Sequence, residues 1–387
     1  MEQESTEKLR IFYNIRDRIN LFIKIVILLV LLFCFLFAIS LLGEGLKCLG
    51  EKVARTLVRA TSNPFVGLFI GMFITSMIHS SSTTTSIIVG MTASGVLTIG
   101  NAIPIVLGAN IGTTVTATMV SFGSITRPKE FERAFAAATM HDFFNLIGIC
   151  IFFPLELLFH PLEKVAIFLT GILTGSGGGE FQSPINLVLE PLIGFVKTLL
   201  LSTFKFSQPI AGIVMLCLGL VLIFISLFFL VKHLQSLMAT QIESSIDRIV
   251  GRSGIIGILV GFLITGLIQS SGVTISTLVP LVAAGIMSLE TGFSIVCGAN
   301  LGTTVTALLA SLAGNPMGLT IALVHFCFNL GVILVVFPIP FIRRIPTILA
   351  RRLAKVVAEK RIYAVIFVVI VFFLIPILAI VLDKIFL

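Results

Sequence analysis

The chain has 387 residues, of which 57% are hydrophobic and only 11% are charged, and its formal net charge is +8. Soluble domains average about 25% charged residues, so this composition excludes a soluble globular protein and indicates a polytopic membrane protein. The basic residues stand beside apolar segments, which is typical of charge that flanks a membrane. No nucleic-acid partner is therefore expected.

Seven nearly uncharged segments are long enough to cross a bilayer. About 20 helical residues span a hydrocarbon core of about 30 Å. The first segment follows a charged stretch and is too long for the apolar part of a signal peptide, so we predict a mature helix there. The seven predicted transmembrane helices are 25–43, 100–122, 134–155, 210–231, 291–313, 318–342 and 362–382.

The sequence contains an internal repeat. Residues 66–117 align without a gap to residues 256–307 at a constant offset of 190. The polar positions match as well as the apolar ones, since GANIGTTVTA aligns with GANLGTTVTA, and HDFFNL at 141–146 meets HFCFNL at 325–330. Shared hydrophobicity does not explain matched polar residues, so we interpret the pattern as a duplication.

Each copy predicts the same unit: an apolar helix, a surface helix, a polar-centred segment and two further helices. The polar segments after the apolar helices are 44–62 and 232–252. The predicted organisation is an N-terminal segment with the first transmembrane helix (1–43), a first repeat with surface helix, hairpin and two helices (44–158), an extracellular loop region (159–209), a transmembrane helix (210–231), a second repeat (232–342), and a basic linker with a C-terminal helix (343–387).

Loop charges predict that the two copies face opposite ways. The loop after GANIGTT contains Arg127, Lys129 and Arg133, whereas the matching loop of the second copy, GNPMG, is uncharged. Positive residues mark the cytoplasmic side, and this scheme also places the basic cluster at 343–361 inside. Inverted repeats with sites near the midplane, where they meet, are typical of secondary transporters.

The stretch IHSSSTTTSI at 78–87 divides the apolar residues 64–99 into halves that are too short to span comfortably. We predict a re-entrant hairpin with its tip at 80–85, and a second one in 254–289 around 269–276. The glycines of the GANIGTT and GANLGTT motifs allow close backbone approach or a helix that unwinds. The predicted fold is an all-α membrane protein, a polytopic helical bundle of two inverted repeats, each with a re-entrant helical hairpin and a discontinuous transmembrane helix.

The hairpin tips offer ligands for ions of both signs. N–H groups at a half-helix N-terminus attract an anion, and the hydroxyls of the tips add neutral donors. Carbonyls, hydroxyls and the amide oxygens of Asn110 and Asn300 are the ligands that a small hard cation prefers. Because the motifs lack Lys and Arg, we expect co-transported sodium ions to offset the charge of the anion. The donor hydroxyls are those of Ser81, Thr84, Ser271 and Thr274.

The paired motifs resemble those of the type II sodium-dependent phosphate cotransporters. Q-S-S-S-T followed by G-A-N-I-G-T-[ST] occurs twice in recognisable form, and FERAF (131–135), HDFFN (141–145) and PLE (154–156) follow the first copy. The chain lacks the long cysteine-bearing loop of the animal members, so it looks like a bacterial member. The resemblance implies a multi-pass protein of a bacterial inner (plasma) membrane that imports inorganic phosphate with sodium by alternating access, and it implies no enzymatic activity.

The resemblance also implies site residues, carried over by position. Two positions depart from the family pattern, since His79 replaces Gln and Gly272 replaces the third Ser. The implied phosphate-binding residues are Ser80, Ser81, Ser82, Thr83, Gln269, Ser270 and Ser271. The implied sodium-binding residues are His79, Thr84, Asn110, Thr113, Thr114, Gln269, Thr274, Asn300, Thr303 and Thr304.

Other functions stay open at this point. The cargo could be another small anion carried with sodium, the protein could be a passive anion channel, or it could be a membrane scaffold without transport. An intramembrane serine hydrolase would need Ser81, His141 and Asp142 as a triad. Adjacent residues point about 100° apart on a helix, so we instead expect His141 and His325 to make helix-to-helix hydrogen bonds, and Asp142 to be paired or to contribute to coupling. The expected partners are phosphate, sodium and the lipid bilayer, and a homodimer is left open.

Overall fold

The structure, a computed structural model, describes residues 2–175, 185–249 and 254–386, and it is helical through most of them. Seven helices in these ranges are long and apolar enough to cross a membrane, and they coincide with the seven predicted segments. This confirms a polytopic helical membrane protein. The seven are Phe22–Cys48, Ile99–Ser124, Pro128–Phe159, Gln208–Leu237, Leu289–Ser311, Pro316–Val336 and Ile362–Ile385.

Three consecutive helices begin and end at equivalent positions in the two copies, namely the two hairpin helices and the first part of the interrupted helix. The first copy contains α1 (Glu2–Cys48), α2 (Glu51–Ala60), α3 (Pro64–Ile78), α4 (Ser81–Ala93), α5 (Ile99–Gly112), α6 (Val115–Ser121) and α7 (Pro128–Phe159). Two helices, α8 (Pro161–Thr174) and α9 (Asn186–Thr198), lie in the region predicted as a loop. The second copy contains α10 (Gln208–Ile249), α11 (Gly254–Ile268), α12 (Ser271–Ala283), α13 (Leu289–Gly302), α14 (Thr304–Ser311) and α15 (Pro316–Val336).

The chain ends with α16 (Pro340–Glu359), α17 (Ile362–Val369) and α18 (Ile375–Phe386). The basic residues predicted as a linker therefore lie largely on a helix, α16, which packs its face containing Ala350 and Ala354 against the rest of the protein. A π-helical segment, Ile370–Leu374, joins α17 to α18. Both long apolar helices are interrupted within the duplicated motif, at 113–114 between α5 and α6 and at Thr303 between α13 and α14.

The second copy departs from the predicted unit at its start. In the first copy a turn at Gly50, with φ of 85°, separates α1 from α2, so the polar segment predicted at 44–62 contains the end of α1 as well as α2. In the second copy α10 continues without a break to Ile249, so the prediction of a separate segment is wrong for 232–249. The reason is local, because residues 220–249 contain neither glycine nor proline to end the helix. Residues 250–252 lie outside the described part of the chain.

Glycines bring the first helix of each hairpin into backbone contact with the interrupted helix. A Cβ on Gly108 of α5 would fall on the carbonyl oxygen of Leu68 in α3. A Cβ on Gly298 of α13 would fall in the same way on the carbonyl oxygen of Ile258 in α11. These motif glycines therefore serve close helix packing, with both copies built alike.

The second helix of each hairpin packs against the other copy. Helix α4 contacts α14 and α15, whereas α12 contacts α6 and α7. At the end of α4, the carbonyl of Ala93 accepts a hydrogen bond from Asn315 Nδ2 at 2.8 Å. At the end of α12, a methyl group on Gly285 would stand 3.2 Å from Nη1 of Arg133. The two copies are therefore interlocked, and neither builds its surroundings alone.

The glycine contacts predict a clear difference between two substitutions in α5. Gly108→Ala forces α3 and α5 apart, and we expect it to cost about 1–3 kcal/mol of stability. Gly100→Ala, where no atom lies within 4 Å of the added methyl group, is the matched control and should be neutral or slightly stabilising. The difference is measured as the melting temperature of each purified variant in detergent, followed by size-exclusion chromatography. Equal stability of the two variants would contradict the packing role.

Candidate functional site

A strained turn occurs at the same position in both copies. His79 and Gln269 have left-handed backbone conformations, with φ of 60° and 61°. Such a conformation in a residue other than glycine costs on the order of 1–3 kcal/mol and clusters at functional sites. The next residue caps the following helix, because Ser80 Oγ accepts the N–H of Thr83 at 3.2 Å and Ser270 Oγ accepts that of Val273 at 3.4 Å. The same capped turn therefore forms in both copies.

Threonine hydroxyls fasten each turn. Thr75 Oγ1 donates to Thr84 Oγ1 at 3.0 Å, and Thr265 Oγ1 donates to Thr274 Oγ1 at 2.9 Å. Thr84 and Thr274 donate onward to the carbonyl oxygen of the capping serine, at 3.1 and 3.3 Å. Both hydroxyls were predicted as cation ligands, and the structure places them at the base of the turns. The hydroxyl protons of Thr84 and Thr274 are therefore already donated in hydrogen bonds.

The two turns meet. Ser82 Oγ donates a hydrogen bond to the backbone carbonyl of Gln269 at 3.1 Å, although 187 residues separate them in sequence. The N-termini of α4 and α12 therefore converge on one region. The second copy has Gly272 where the first has Ser82, so it has no hydroxyl to return this bond. A Cβ on Gly272 would lie 3.8 Å from the methyl group of Thr116, which leaves room for a serine.

Several buried polar groups around the turns are free to bind a ligand. Ser81 and Ser271, the first residues of α4 and α12, are 4% and 2% exposed, and their hydroxyls make no hydrogen bond with any described residue. The side-chain oxygen Oε1 of Gln269 and the hydroxyl of Thr85 are buried without a partner in the same part of the chain. Together with the N–H groups at the two helix starts, they form a neutral site rich in donors and oxygen ligands.

His79 and its counterpart Gln269 have different surroundings. The side chain of Gln269 is 8% exposed, whereas His79 is exposed and its Nδ1 lies 3.5 Å from Thr116 Oγ1. The histidine predicted to bind sodium is therefore more accessible than the glutamine. The position of His79, where the family has Gln, therefore differs from that of Gln269 in side-chain burial as well as in residue type.

Histidines and asparagines cross between the copies beside the interrupted helices. Nε2 of His141 lies 3.1 Å from Asn300 Oδ1, and Nε2 of His325 lies 3.3 Å from Asn110 Oδ1. The histidine that follows one copy thus contacts the asparagine of the other copy's motif. This confirms the predicted helix-to-helix hydrogen bonds of both histidines.

Further amides complete this buried cluster. Asn300 Nδ2 donates to Asn145 Oδ1 at 2.9 Å and to Asn329 Oδ1 at 2.8 Å, and Asn145 Nδ2 donates to the carbonyl of Asn110 at 2.7 Å. An amide oxygen has two lone pairs. The side-chain oxygens of Asn110 and Asn300, predicted as sodium ligands, therefore each keep one lone pair after contact with a histidine.

The four threonines at the interruptions bond within their own helices. Each hydroxyl donates to a backbone carbonyl three or four residues earlier, and this bond uses the proton but not the lone pairs of the oxygen. The bonds are Thr113 to Ala109 at 3.1 Å, Thr114 to Ile111 at 2.7 Å, Thr303 to Ala299 at 3.1 Å and Thr304 to Leu301 at 2.7 Å.

A buried carboxylate that the duplicated motifs did not assign lies beside the first interruption. Asp142 is 8% exposed, and neither of its oxygens has a hydrogen-bond partner among the described residues. The hydroxyl of Thr114 lies next to it but donates to the carbonyl of Ile111 instead. The second copy has Phe326 at the equivalent position. The sequence signal was the charged residue at the second position of HDFFN, where HFCFN has Phe.

Apolar helices long enough to cross a membrane, which surround buried polar groups contributed by both copies, define a polytopic helical membrane protein. A family model described as Na+/Pi-cotransporter matches residues 34–177 and 222–350, more than half of the chain. The chain belongs to the Na+/Pi-cotransporter family, which confirms the resemblance drawn from the motifs.

Similar proteins carry consistent names. The chain is 30% identical to the sodium-dependent phosphate transport protein 2B of Pongo abelii, over 91% of this chain and 64% of the relative. It is 29% identical to the sodium-dependent phosphate transport protein 2A of Rattus norvegicus, over 97% of this chain and 70% of the relative. The chain thus spans 64% of the length of the 2B relative. No solved structure matches it.

Proposed function

We propose that the protein is a sodium-coupled symporter that imports inorganic phosphate by alternating access across a bacterial plasma membrane. The observation that carries the proposal is the contact between Ser82 and Gln269, which joins the two turns and directs the starts of α4 and α12 at one region. Membership of the Na+/Pi-cotransporter family supports the choice of ions. We further propose that the two copies are inverted and that both hairpins are re-entrant.

Contacts at the ends of the helices support the inversion. Asn315, which follows α14, bonds to Ala93, which precedes α5. Gly285, which precedes α13, lies beside Arg133, which follows α6. The end of one interrupted helix therefore lies near the start of the other, as expected if the two run in opposite directions.

Charge supports the orientation. The guanidinium of Arg351 in α16 lies 2.8 Å from the carboxylate of Glu290 at the start of α13. The basic helix α16 is therefore at the same end as Arg133. Positive residues mark the cytoplasmic side, so we assign this end to the cytoplasm and the end at Ala93 to the exterior.

Phosphate fits the hydroxyls of Ser81 and Ser271 and the N–H groups beside them. Helices α4 and α12 contain no Lys or Arg, so helix dipoles and neutral donors supply the attraction. Isolated charge is costly in a buried site. Sodium ions that bind with the phosphate would offset its charge, and this shared requirement would couple the two fluxes.

Sodium fits the oxygen groups beside the interruptions. In the first copy these are the hydroxyl oxygens of Thr113 and Thr114, the amide oxygen of Asn110 and the unpaired carboxylate of Asp142. Each sodium ion that moves inward down a potential of 100 mV releases about 2.3 kcal/mol, which two or three ions could spend on the uptake of a dianion. The second copy offers Asn300, Thr303 and Thr304 but no carboxylate.

The alternative functions fit less well. A serine hydrolase requires Asp142 to orient His141 toward Ser81, but His141 contacts Asn300, and Asp142 bonds to no described residue. A passive channel would not need buried groups arranged for two kinds of ion. Sodium-coupled transport of another small anion is the second candidate, since hydroxyls alone do not select phosphate.

The proposal is tested by uptake of radiolabelled phosphate into proteoliposomes. We expect an inward sodium gradient to drive accumulation, and replacement of sodium by potassium or choline to abolish it, because no other cation would offset the anion's charge. Competition by excess sulfate, which should be weak, distinguishes phosphate from other oxyanions. Uptake that is indifferent to sodium would overturn the symport proposal.

Ser81→Ala and Ser271→Ala each remove a buried hydroxyl that has no other partner. We expect each to reduce phosphate uptake by about ten- to a hundredfold, since a lost hydrogen bond to a charged ligand costs about 1.5–3 kcal/mol. Ser86→Ala is the matched control, because that hydroxyl donates to the carbonyl of Ser82 within the same helix at 2.7 Å. Wild-type uptake in both test variants would remove the turns from the site.

Asp142→Asn removes charge without changing shape. If the carboxylate binds a co-transported cation, the sodium concentration for half-maximal uptake should rise about tenfold, since an unpaired buried carboxylate is the strongest cation ligand in this region. Phosphate-uptake rates measured over a range of sodium concentrations give this value. An unchanged sodium dependence would show that Asp142 is not part of the coupling site.

A further inference from the structure

Two cavities lie near the ends of the second hairpin helices of the two copies, away from the turns. The first, of about 450 Å³, lies where α4 ends, among the end of α1, helix α9 and the turn after α14. The second, of about 310 Å³, lies where α12 ends, beside the start of α7 and helix α16. Gly90 and Ser94 line the first cavity, and Gly285 and Leu289 line the second. By the orientation proposed above, the first opens to the exterior and the second to the cytoplasm.

Each cavity is lined by two basic residues, of which one is paired. In the first, Lys197 Nζ lies 2.6 Å from Glu44 Oε1, and this hydrogen bond raises the pKa of Lys197. In the second, Arg351 Nη2 lies 2.8 Å from Glu290 Oε1. The other basic residue is Lys47 in the first cavity and Arg133 in the second.

Lys47 and Arg133 are exposed and make no ion pair with any residue that the structure describes. Each cavity also contains one carboxylate, Glu190 or Glu132, that has no ion-pair partner within the described ranges. The cavities are therefore nearly neutral as a whole but present separate charges of both signs. Such a lining suits a path that an anion and a cation share.

Lys47 and Arg133 are too far from the turns to act on an ion that is bound there. Helices α4 and α12 are each 13 residues long, which corresponds to about 20 Å between a turn and its cavity. Charges interact weakly beyond about 8 Å at physiological salt. Lys47 and Arg133 therefore act on an anion within the cavity, where a fixed charge raises the local concentration of its counter-ion.

We propose that these two cavities are the outer and inner mouths of the phosphate path, in which Lys47 and Arg133 bind the oxyanion before and after it occupies the turns. This inference rests on the proposed function. It adds a binding step on each side of a central site that itself lacks basic side chains. It also assigns each step to one side of the membrane.

The test uses the full-length protein in right-side-out and inside-out vesicles, with inorganic phosphate as the probe at low ionic strength. Lys47→Glu should raise the apparent KM for phosphate presented from outside about fivefold, and Arg133→Glu should do the same for phosphate presented from the cytoplasmic side. Salt near 1 M should remove most of each difference, because screening then acts within about 3 Å. Lys47→Arg keeps the positive charge and should therefore leave the KM for phosphate at its wild-type value.

Lys52→Glu and Lys129→Glu are the matched controls, since both lysines are exposed near the same ends of the protein but line neither cavity. An equal KM change in a control and in its test variant would reduce the effect to general surface charge and overturn the inference. So would unchanged KM values in both test variants while the wild type still shows sodium-driven uptake, a result that leaves the proposed function intact. Absence of uptake by the wild type would overturn both.

Discussion

The hydrogen bond between Ser82 and the carbonyl of Gln269 is the contact on which the site depends. It holds together two turns that lie almost half the chain apart. Each turn is strained, and each is fastened by its own threonine pair, so neither adapts freely to the other. The two turns therefore meet because each is rigid, and the helices on either side of each turn determine where it lies.

Those helices form two kinds of contact with different roles. Motif glycines such as Gly108 and Gly298 bring the first hairpin helix into backbone contact with the interrupted helix of its own copy. The second hairpin helix packs instead on the other copy. The histidine–asparagine contacts repeat this exchange beside the interruptions, since His141 reaches Asn300 and His325 reaches Asn110. A shift of one copy relative to the other would thus change the contacts at the turns and at the interruptions together.

Much of this arrangement was predictable from the sequence, because duplication marks polar residues that packing alone does not require. The seven apolar helices and the interrupted motifs were located from composition and repetition. The hairpin tips predicted at 80–85 and around 269–276 lie instead largely within α4 and α12, and the turns themselves are at His79 and Gln269. The unbroken helix α10 was missed, since a polar stretch was interpreted as a separate segment although no residue in it ends a helix. Contacts between distant parts, such as Ser82 with Gln269 or the isolation of Asp142, depend on tertiary packing that local patterns do not encode.

The interlocking of the copies has an evolutionary consequence. A chain with one copy would contain one turn, one capping serine and half of the asparagine cluster, so it could build this pocket only by pairing with a second chain. Fusion of two such units into one gene removes the need for identical halves. Asp142 opposite Phe326, and Ser82 opposite Gly272, are differences that a symmetric ancestor could not have had, and they make the two halves chemically unequal.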